Sequence, residues 1–467
     1  MNPEKKSVVI VGAGVAGMSA AVALAEVGFR VQLLERRGYL GGRASSYLHP
    51  GVGETIDNCQ HALFGCCTNL KGFYRRIGVA DLIHWTRTMT MIEPGGRRSM
   101  LGPSPLPAPM HGLPRLLTAA AFSLKDKLSL ARAFTALMLP SSAKEESLGE
   151  WLRRHKQSEG AMNRFWRLVI ASALNAELDT ISLPYAVQVI RGLFLNSAEA
   201  GAMGMSRVPL SQLYAPVQPF LEARGGSIHF HTHVDGAEWN EQAKRWTTHT
   251  RTGDFSADYL LLALPFEATG KLLCGMPEHE GRERLAAQIA RHEHWPICSV
   301  HLWFDREVTD LEHAVLLDRE IHWMYNQSKL QTGRGGHYIE LVISASRSFA
   351  ALERKMAIDL ALKELAEFFP GVRKAKLEKA ALVKEVRATF GVSPGIDSAR
   401  PEASGPWPNS FIAGDWAQTG WPSTMESAAR SGHLAAEALA GLAGVSLRVL
   451  EKELPPKGLM RLMANSF

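Results

Sequence analysis

The sequence predicts an α/β protein, in which a Rossmann-like domain is interleaved with a mixed α+β domain. Three observations predict it. A strand–glycine–helix–strand unit opens the chain, and a strand–Gly–Asp–helix unit stands near its end. Between them, strand patterns return after a long helical stretch. The length agrees: 467 residues make roughly three domains at about 150 residues each. With 46% hydrophobic and 21% charged residues, a sizeable core is possible and a mainly disordered chain is excluded.

The opening unit is the most specific. Ser7–Val11 (SVVIV) is apolar and β-branched, as a buried parallel strand should be. Gly12-Ala13-Gly14-Val15-Ala16-Gly17 follows, then an alanine-rich helix over Met18 to Val27 that Gly28 ends. Phe29 to Leu34 is a second strand, closing on Glu35, 18 residues after Gly17. In such a unit the turn at Gly12 and the bare backbone at Gly14 bring a helix N-terminus onto a pyrophosphate. Gly17 lets helix and strand pack closely, and the acid takes the ribose hydroxyls. The alternative is a glycine-rich turn without a nucleotide. Arg36 and Arg37 come next, and then Gly41-Gly42-Arg43, which offers further amides and a cation to a diphosphate.

Residues 85–105 read as a hairpin turning at Glu93-Pro94-Gly95-Gly96, and 113–200 read as mostly helical. Strands return over Ser227–Val234, Trp246–Thr250, Tyr259–Leu264, 297–304 and 338–343, and 351–369 reads as an amphipathic helix. Phe411–Ala413 is a short strand before Gly414-Asp415, and a last helix runs from Met425 to Leu442, with Ser423 or Thr424 as its cap. The expected nucleotide-binding domain is therefore discontinuous: 1–84, 205–290 and 385–445. Segments 85–204 and 291–384 form the second, substrate domain, and 446–467 is a basic tail. His229, His231 and His233 alternate and are expected to share one strand face, either as metal ligands or as a polar face; with no partner cluster nearby, no metal is expected. The five cysteines form no even framework, which suits a reducing compartment.

These motifs together resemble the FAD-dependent amine oxidase and carotenoid desaturase superfamily. The resemblance implies FAD as cofactor, held by Gly12, Ala13, Gly14, Val15, Ala16, Gly17, Glu35, Arg36, Gly42 and Arg43. It implies adenine contact by the backbone of Val234, and Gly414 and Asp415 at the ribityl–phosphate region. It places the helix start at Thr424 and Met425 against the flavin N1–C2 edge, where a helix N-terminus favours negative charge. A covalent link in this superfamily would use a cysteine near the second motif; here Trp416 and Thr419 stand there, so noncovalent FAD is expected.

Asp57-Asn58-Cys59-Gln60-His61 narrows the resemblance. An Asp-x-x-Gln-His segment at this place is similar to the hydroxysqualene dehydroxylase family, the squalene-associated FAD enzymes of hopanoid and squalene biosynthesis. The stretches at 148–152, 166–176, 209–213 and 422–432 agree with it. Cys59 departs from the usual glycine and would be strained if the position needed a positive φ. The implied reaction is loss of water from an allylic alcohol and delivery of hydride from reduced flavin N5, giving squalene. His61 and Asp57 are the expected acids, with Gln60 orienting the hydroxyl. Asp57 could instead only anchor its loop, and His61 only pack it. Glu426 and Asn175 are weaker candidates at the flavin and the substrate. A carotenoid- or phytoene-type desaturase is the alternative; a flavin amine oxidase and an FAD-less prenyl-binding escort protein follow it.

The expected partners are an isoprenoid hydrocarbon substrate and an electron donor not identified by the sequence. The formal charge of +6 is too small to argue for nucleic acid, and suits peripheral contact with an anionic membrane. Residues 110–140 and 447–467 interleave apolar side chains, Leu139 and Phe467 among them, with basic ones. They read either as interfacial helices or as ordinary core-facing ones. No run of about 20 apolar residues occurs, and the first apolar run enters the glycine motif with no cleavage site. A cytoplasmic protein in peripheral contact with the inner face of the membrane is expected.

Overall fold

A computed structural model describes residues 5–138 and 145–463; Leu139 and Phe467 lie outside them. The central sheet has five parallel strands, in the order Ser227–His229, Arg30–Leu34, Ser7–Val11, Tyr259–Leu262, Ser410–Ile412. Ser7–Val11 and Tyr259–Leu262 are buried along their whole length, because helices cover a parallel sheet on both faces. The helix Val15–Glu26 leaves the first strand and packs on the helix Met425–Leu442. Three distant parts of the sequence thus meet in one sheet.

The second sheet has seven strands, in the order Leu377–Phe390, His294–Phe304, His337–Ser344, Trp323–Asn326, His313–Leu316, Met89–Ile92, Arg98–Leu101. Its pairings are antiparallel except that of His313–Leu316 with Met89–Ile92. Strand alternation sorts its side chains. Ile339, Leu341 and Ile343 pack with Ala357, Ala361 and Leu365 of the helix Arg354–Phe368. Glu340, Val342 and Ser344 face the other way, and Val342 and Ser344 line the large cavity of the molecule. Helices including Leu124–Met138, Leu148–Arg154 and Leu183–Ile190 make up the rest of this half.

Some expectations are corrected. The stretch 227–234 is not one strand: it ends at His229, His231 takes a positive φ of 54°, and a new strand begins at Val234. The three histidines therefore share no face; His229 meets Ser227 and His233 meets Asp235. Among the described residues no three His, Cys, Asp or Glu gather as metal ligands. Leu377–Phe390 runs through the expected boundary at 385, since it pairs with His294–Phe304 along nearly its whole length. The helical stretch contains two segments in π register, Met162–Ala171 and Arg191–Leu195. In the second, the Asn196 amide donates to Arg191 O at 2.8 Å. Such wide turns recur at functional sites.

Candidate active site

One cavity of about 1260 Å³ lies between the two sheets and the helices. This exceeds the roughly 300–1,000 Å³ of a pocket for one small molecule, so a dinucleotide and a long second ligand can share it. All the expected nucleotide-binding residues line it except Ala13 and Gly17, which serve the turn from behind. A Cβ on Gly17 would stand 1.9 Å from Gly12 O, so only glycine lets the helix start so close to the strand. At Gly14 a Cβ would meet nothing within 4 Å: the helix begins there, with no side-chain cap, at open cavity. Glu35 is held for its task, one carboxylate oxygen accepting from the Ala13 amide (2.9 Å) and the other from the Arg37 amide (2.8 Å). An uncapped helix start, a held carboxylate and a bare backbone fit the pyrophosphate and ribose of FAD.

At the other end, Thr424 caps Met425–Leu442 by accepting from the Ser427 amide at 3.2 Å. The following residues Met425, Glu426 and Ala428 face the cavity. Arg43 departs from expectation. Its guanidinium is paired with Asp415 and donates to Ala388 O (3.1 Å) instead of standing free for a diphosphate. Asp415 also accepts from Ser423, so one carboxylate ties the two nucleotide motifs together. Glu426 accepts from the Asn69 amide, the Asn69 side chain and the Leu70 amide at 2.9–3.0 Å. It joins two helices, and burial pushes its carboxyl up.

The Asp57–His61 loop divides. Asp57 stands directly across from Ser46 in a two-stranded ladder, and this turns its side chain away from the cavity. Its carboxylate accepts from Ser46, from the Leu210 amide (3.1 Å) and from Gln331 (3.2 Å). The catalytic placing expected for Asp57 is thus corrected: it anchors the loop. Cys59 keeps a negative φ and is unstrained. Gln60 and His61 do line the cavity. His61 Nδ1 donates to Cys59 O at 2.6 Å, and burial lowers its ring to about 4. At neutral pH it is therefore neutral and carries no spare proton, which argues against its expected role as acid.

Gln60 leads to residues that motif reasoning missed. Gln327 Nε2 donates both to Gln60 Oε1 (2.7 Å) and to Glu340 Oε2 (2.6 Å). Glu340 is fully buried, and burial, aided by the charge of Asp57, pushes its carboxyl up to about 8. One signal was in the sequence: Glu340 is the lone charge in the apolar strand Tyr338–Ile343. Arg400 gave none. Fully buried, it donates to Ala417 O, Asp415 O and Thr419 and so shapes the loop before the last helix. Asn175, in left-handed conformation, lines the cavity and is held by the Ala345 amide and Thr389. Trp323 and Tyr325, stacked with centroids 5.7 Å apart, form an aromatic wall beside Val342.

Fold and cradle together define an FAD-dependent oxidoreductase. Comparison with known proteins gives the family: residues 15–440 match the model of the flavin containing amine oxidoreductases, and the chain belongs to that family. It is 26% identical to a probable zeta-carotene desaturase of Synechococcus elongatus, over 92% of this chain and 98% of the relative. It is 25% identical to the 15-cis-phytoene desaturase of the same organism, over 92% and 95%. Among solved structures, an oxidoreductase from Methanosarcina mazei superposes with a TM-score of 0.70 at 16% identity, covering 91% of this chain and 98% of that one. Cyclohexylamine oxidase from Brevibacterium oxydans does so at 0.66 and 17%, covering 94% and 100%. At such identities the structures speak for the fold.

Proposed function

We propose that the chain carries out a flavin-dependent two-electron reaction at an allylic carbon of a long isoprenoid, and that this reaction is the reductive dehydroxylation of hydroxysqualene to squalene. One observation carries it. The Gln60–His61 segment sets polar side chains in the wall of a cavity that Ile297, Trp323, Tyr325 and Val342 also line. A pure hydrocarbon has no use for such groups, and a hydroxylated one does. When bound, FAD would supply at N5 the centre that gives a hydride to the carbon in dehydroxylation or accepts one from it in desaturation. The apolar walls hold the chain and exclude water, Gln60 meets the oxygen, and Glu35, Asp415 and the two helix starts hold the nucleotide.

The second reading is dehydrogenation of a carotenoid-type polyene. The names of the curated relatives, zeta-carotene and phytoene desaturases, favour it; the polar segment favours the first. Under either reading the substrate is almost insoluble in water, and we place the protein in the cytoplasm, peripherally on an anionic membrane surface. Among the described residues no helix is long and apolar enough to cross a membrane.

The test is direct. The holoenzyme is reduced without oxygen and given hydroxysqualene, while the flavin spectrum and squalene by mass spectrometry are followed. In parallel, oxidised holoenzyme is given phytoene or zeta-carotene with a quinone acceptor. Squalene formed in step with flavin reoxidation supports dehydroxylation. A flavin that stays reduced, together with longer conjugation in the second arm, overturns it in favour of desaturation.

A further inference from the structure

Behind Gln60 lies a buried polar array without a part in the nucleotide site. Glu340 and Gln327 are 0% and 1% exposed, in an interior where uncompensated polar groups are costly. Their strands place them there: Glu340 is directly opposite Tyr325 in the sheet, and Gln327 follows at the end of the same strand. Both hydrogens of Gln327 Nε2 are used, one on Glu340 Oε2 at 2.6 Å and one on Gln60 Oε1 at 2.7 Å. This decides which way the Gln60 amide faces. Its carbonyl oxygen is turned inward to Gln327. Its NH₂ group is turned away, with no acceptor among the described residues, on a side chain that lines the cavity.

We propose that Gln60 is an oxygen-reading subsite for the substrate: its NH₂ donates to a hydroxyl on the isoprenoid chain, and Glu340 and Gln327 are positioning residues that keep its carbonyl from facing that hydroxyl. The proposal rests on the dehydroxylation reading and deepens it. An amide free to flip would offer an acceptor as often as a donor; a pinned one offers two donors to the lone pairs of one oxygen. A ligand without that oxygen leaves the donor facing apolar chain, and this penalty is what gives selectivity. The array thereby distinguishes the alcohol from the hydrocarbon product, so that product leaves more readily than substrate.

The experiment uses oxidised holoenzyme, which cannot reduce the alcohol. Hydroxysqualene and squalene are titrated separately from detergent micelles, and the flavin absorbance change is read. Wild type is expected to bind the alcohol about tenfold more tightly than the hydrocarbon, the scale of one good hydrogen bond. Gln60→Leu should bring the ratio to about one by weakening the alcohol alone. Gln327→Leu should do the same with flavin content unchanged. Glu340→Gln, whose side-chain oxygen still accepts from Gln327, should keep the ratio. If a leucine variant fails to fold, Gln60→Met, which keeps the length of the side chain and offers no donor, should bring the ratio to about one in the same way. If wild type turns hydroxysqualene over but binds both ligands equally, or if Gln60→Leu keeps the ratio, the subsite is wrong and the dehydroxylation reading stands. If wild type neither turns the alcohol over nor prefers it, the reading itself falls, and the subsite with it.

Discussion

Arg43 and Asp415 come from opposite ends of the sequence, yet their ion pair sits where both nucleotide motifs meet the cavity. Asp415 is nearly fully buried, while the Arg43 side chain is a quarter exposed. Removing the arginine leaves a buried carboxylate with Ser423 as its remaining side-chain partner. Arg43→Met should therefore destabilise the protein by up to about 3 kcal/mol, the lower end for breaking a buried pair, and lower the flavin bound per chain after purification. The double variant Arg43→Met, Asp415→Asn removes the stranded charge. It should regain most of the melting temperature without regaining the flavin. Equal recovery of both would show that the pair serves stability alone. The residue scale also shows the limit of motif reading. The motif named Asp57 and Gln60 together, but one residue's place in a strand pair sends Asp57 to Ser46 while Gln60 reaches the cavity. No local pattern announces that division.

At the scale of elements, the helices Leu113–Thr118 and Leu124–Met138 divide into a buried and an exposed side. Leu130, Ala133 and Leu137 are buried, but Leu117, Leu124 and Leu128 are 54%, 72% and 63% exposed. The tail packs beside this region, the Leu459 amide donating to Ala108 O at 3.0 Å, and itself exposes Leu459 and Leu462. Arg115, Lys125, Arg132 and Arg461 are exposed in the same segments. Bare leucines among cations are what an anionic bilayer surface binds, each cation adding about 1 kcal/mol. The neighbouring stretch Arg191–Asn196 contributes to the cavity wall, and Lys457 donates to Asn196 O, so a membrane at this face would lie close to the place where an isoprenoid is needed. The holoenzyme should co-sediment with vesicles containing phosphatidylglycerol, and less with neutral ones. Leu124→Asp with Leu128→Asp should abolish the binding without changing the melting temperature. Binding unaffected by the pair would assign the face to another purpose.

For the molecule as a whole, the nucleotide half was legible because its chemistry is local: one turn, one helix start and one acid lie within 29 residues, Ser7 to Glu35. The last helix was legible to its ends, Met425 and Leu442, because its cap stands beside its first turn. The substrate half was legible only as helices and strands. Its inner surface depends on which face of a doubly buried strand meets the cavity, and an all-apolar strand pattern does not show that. Glu340 is the case in point, and it gives the molecule a pH signature that can be derived. Burial holds His61, His301, His322 and His433 at about 4, 3, 4 and 3, against an ordinary 6.5. Below 6.5 the unfolded chain binds protons that the folded one refuses, so their contribution is complete above 6.5 and is lost as the pH falls toward 3. Glu340 acts in the opposite sense. Its carboxyl titrates at about 8 when folded and near 4.5 when free, so stability is lost as the pH rises between those values. From 4.5 to 6.5 four histidine protons on the unfolded side outweigh one carboxyl proton on the folded side, and stability climbs. From 6.5 to 8 Glu340 acts alone among these five, and stability falls by about 2 kcal/mol. The melting temperature should therefore peak near pH 6.5, and Glu340→Gln should flatten the alkaline side while leaving the acid side as it was. A wild-type curve still rising at pH 8, or a variant that falls as steeply as wild type, would show that the carboxyl beside Gln60 is already ionised at neutral pH.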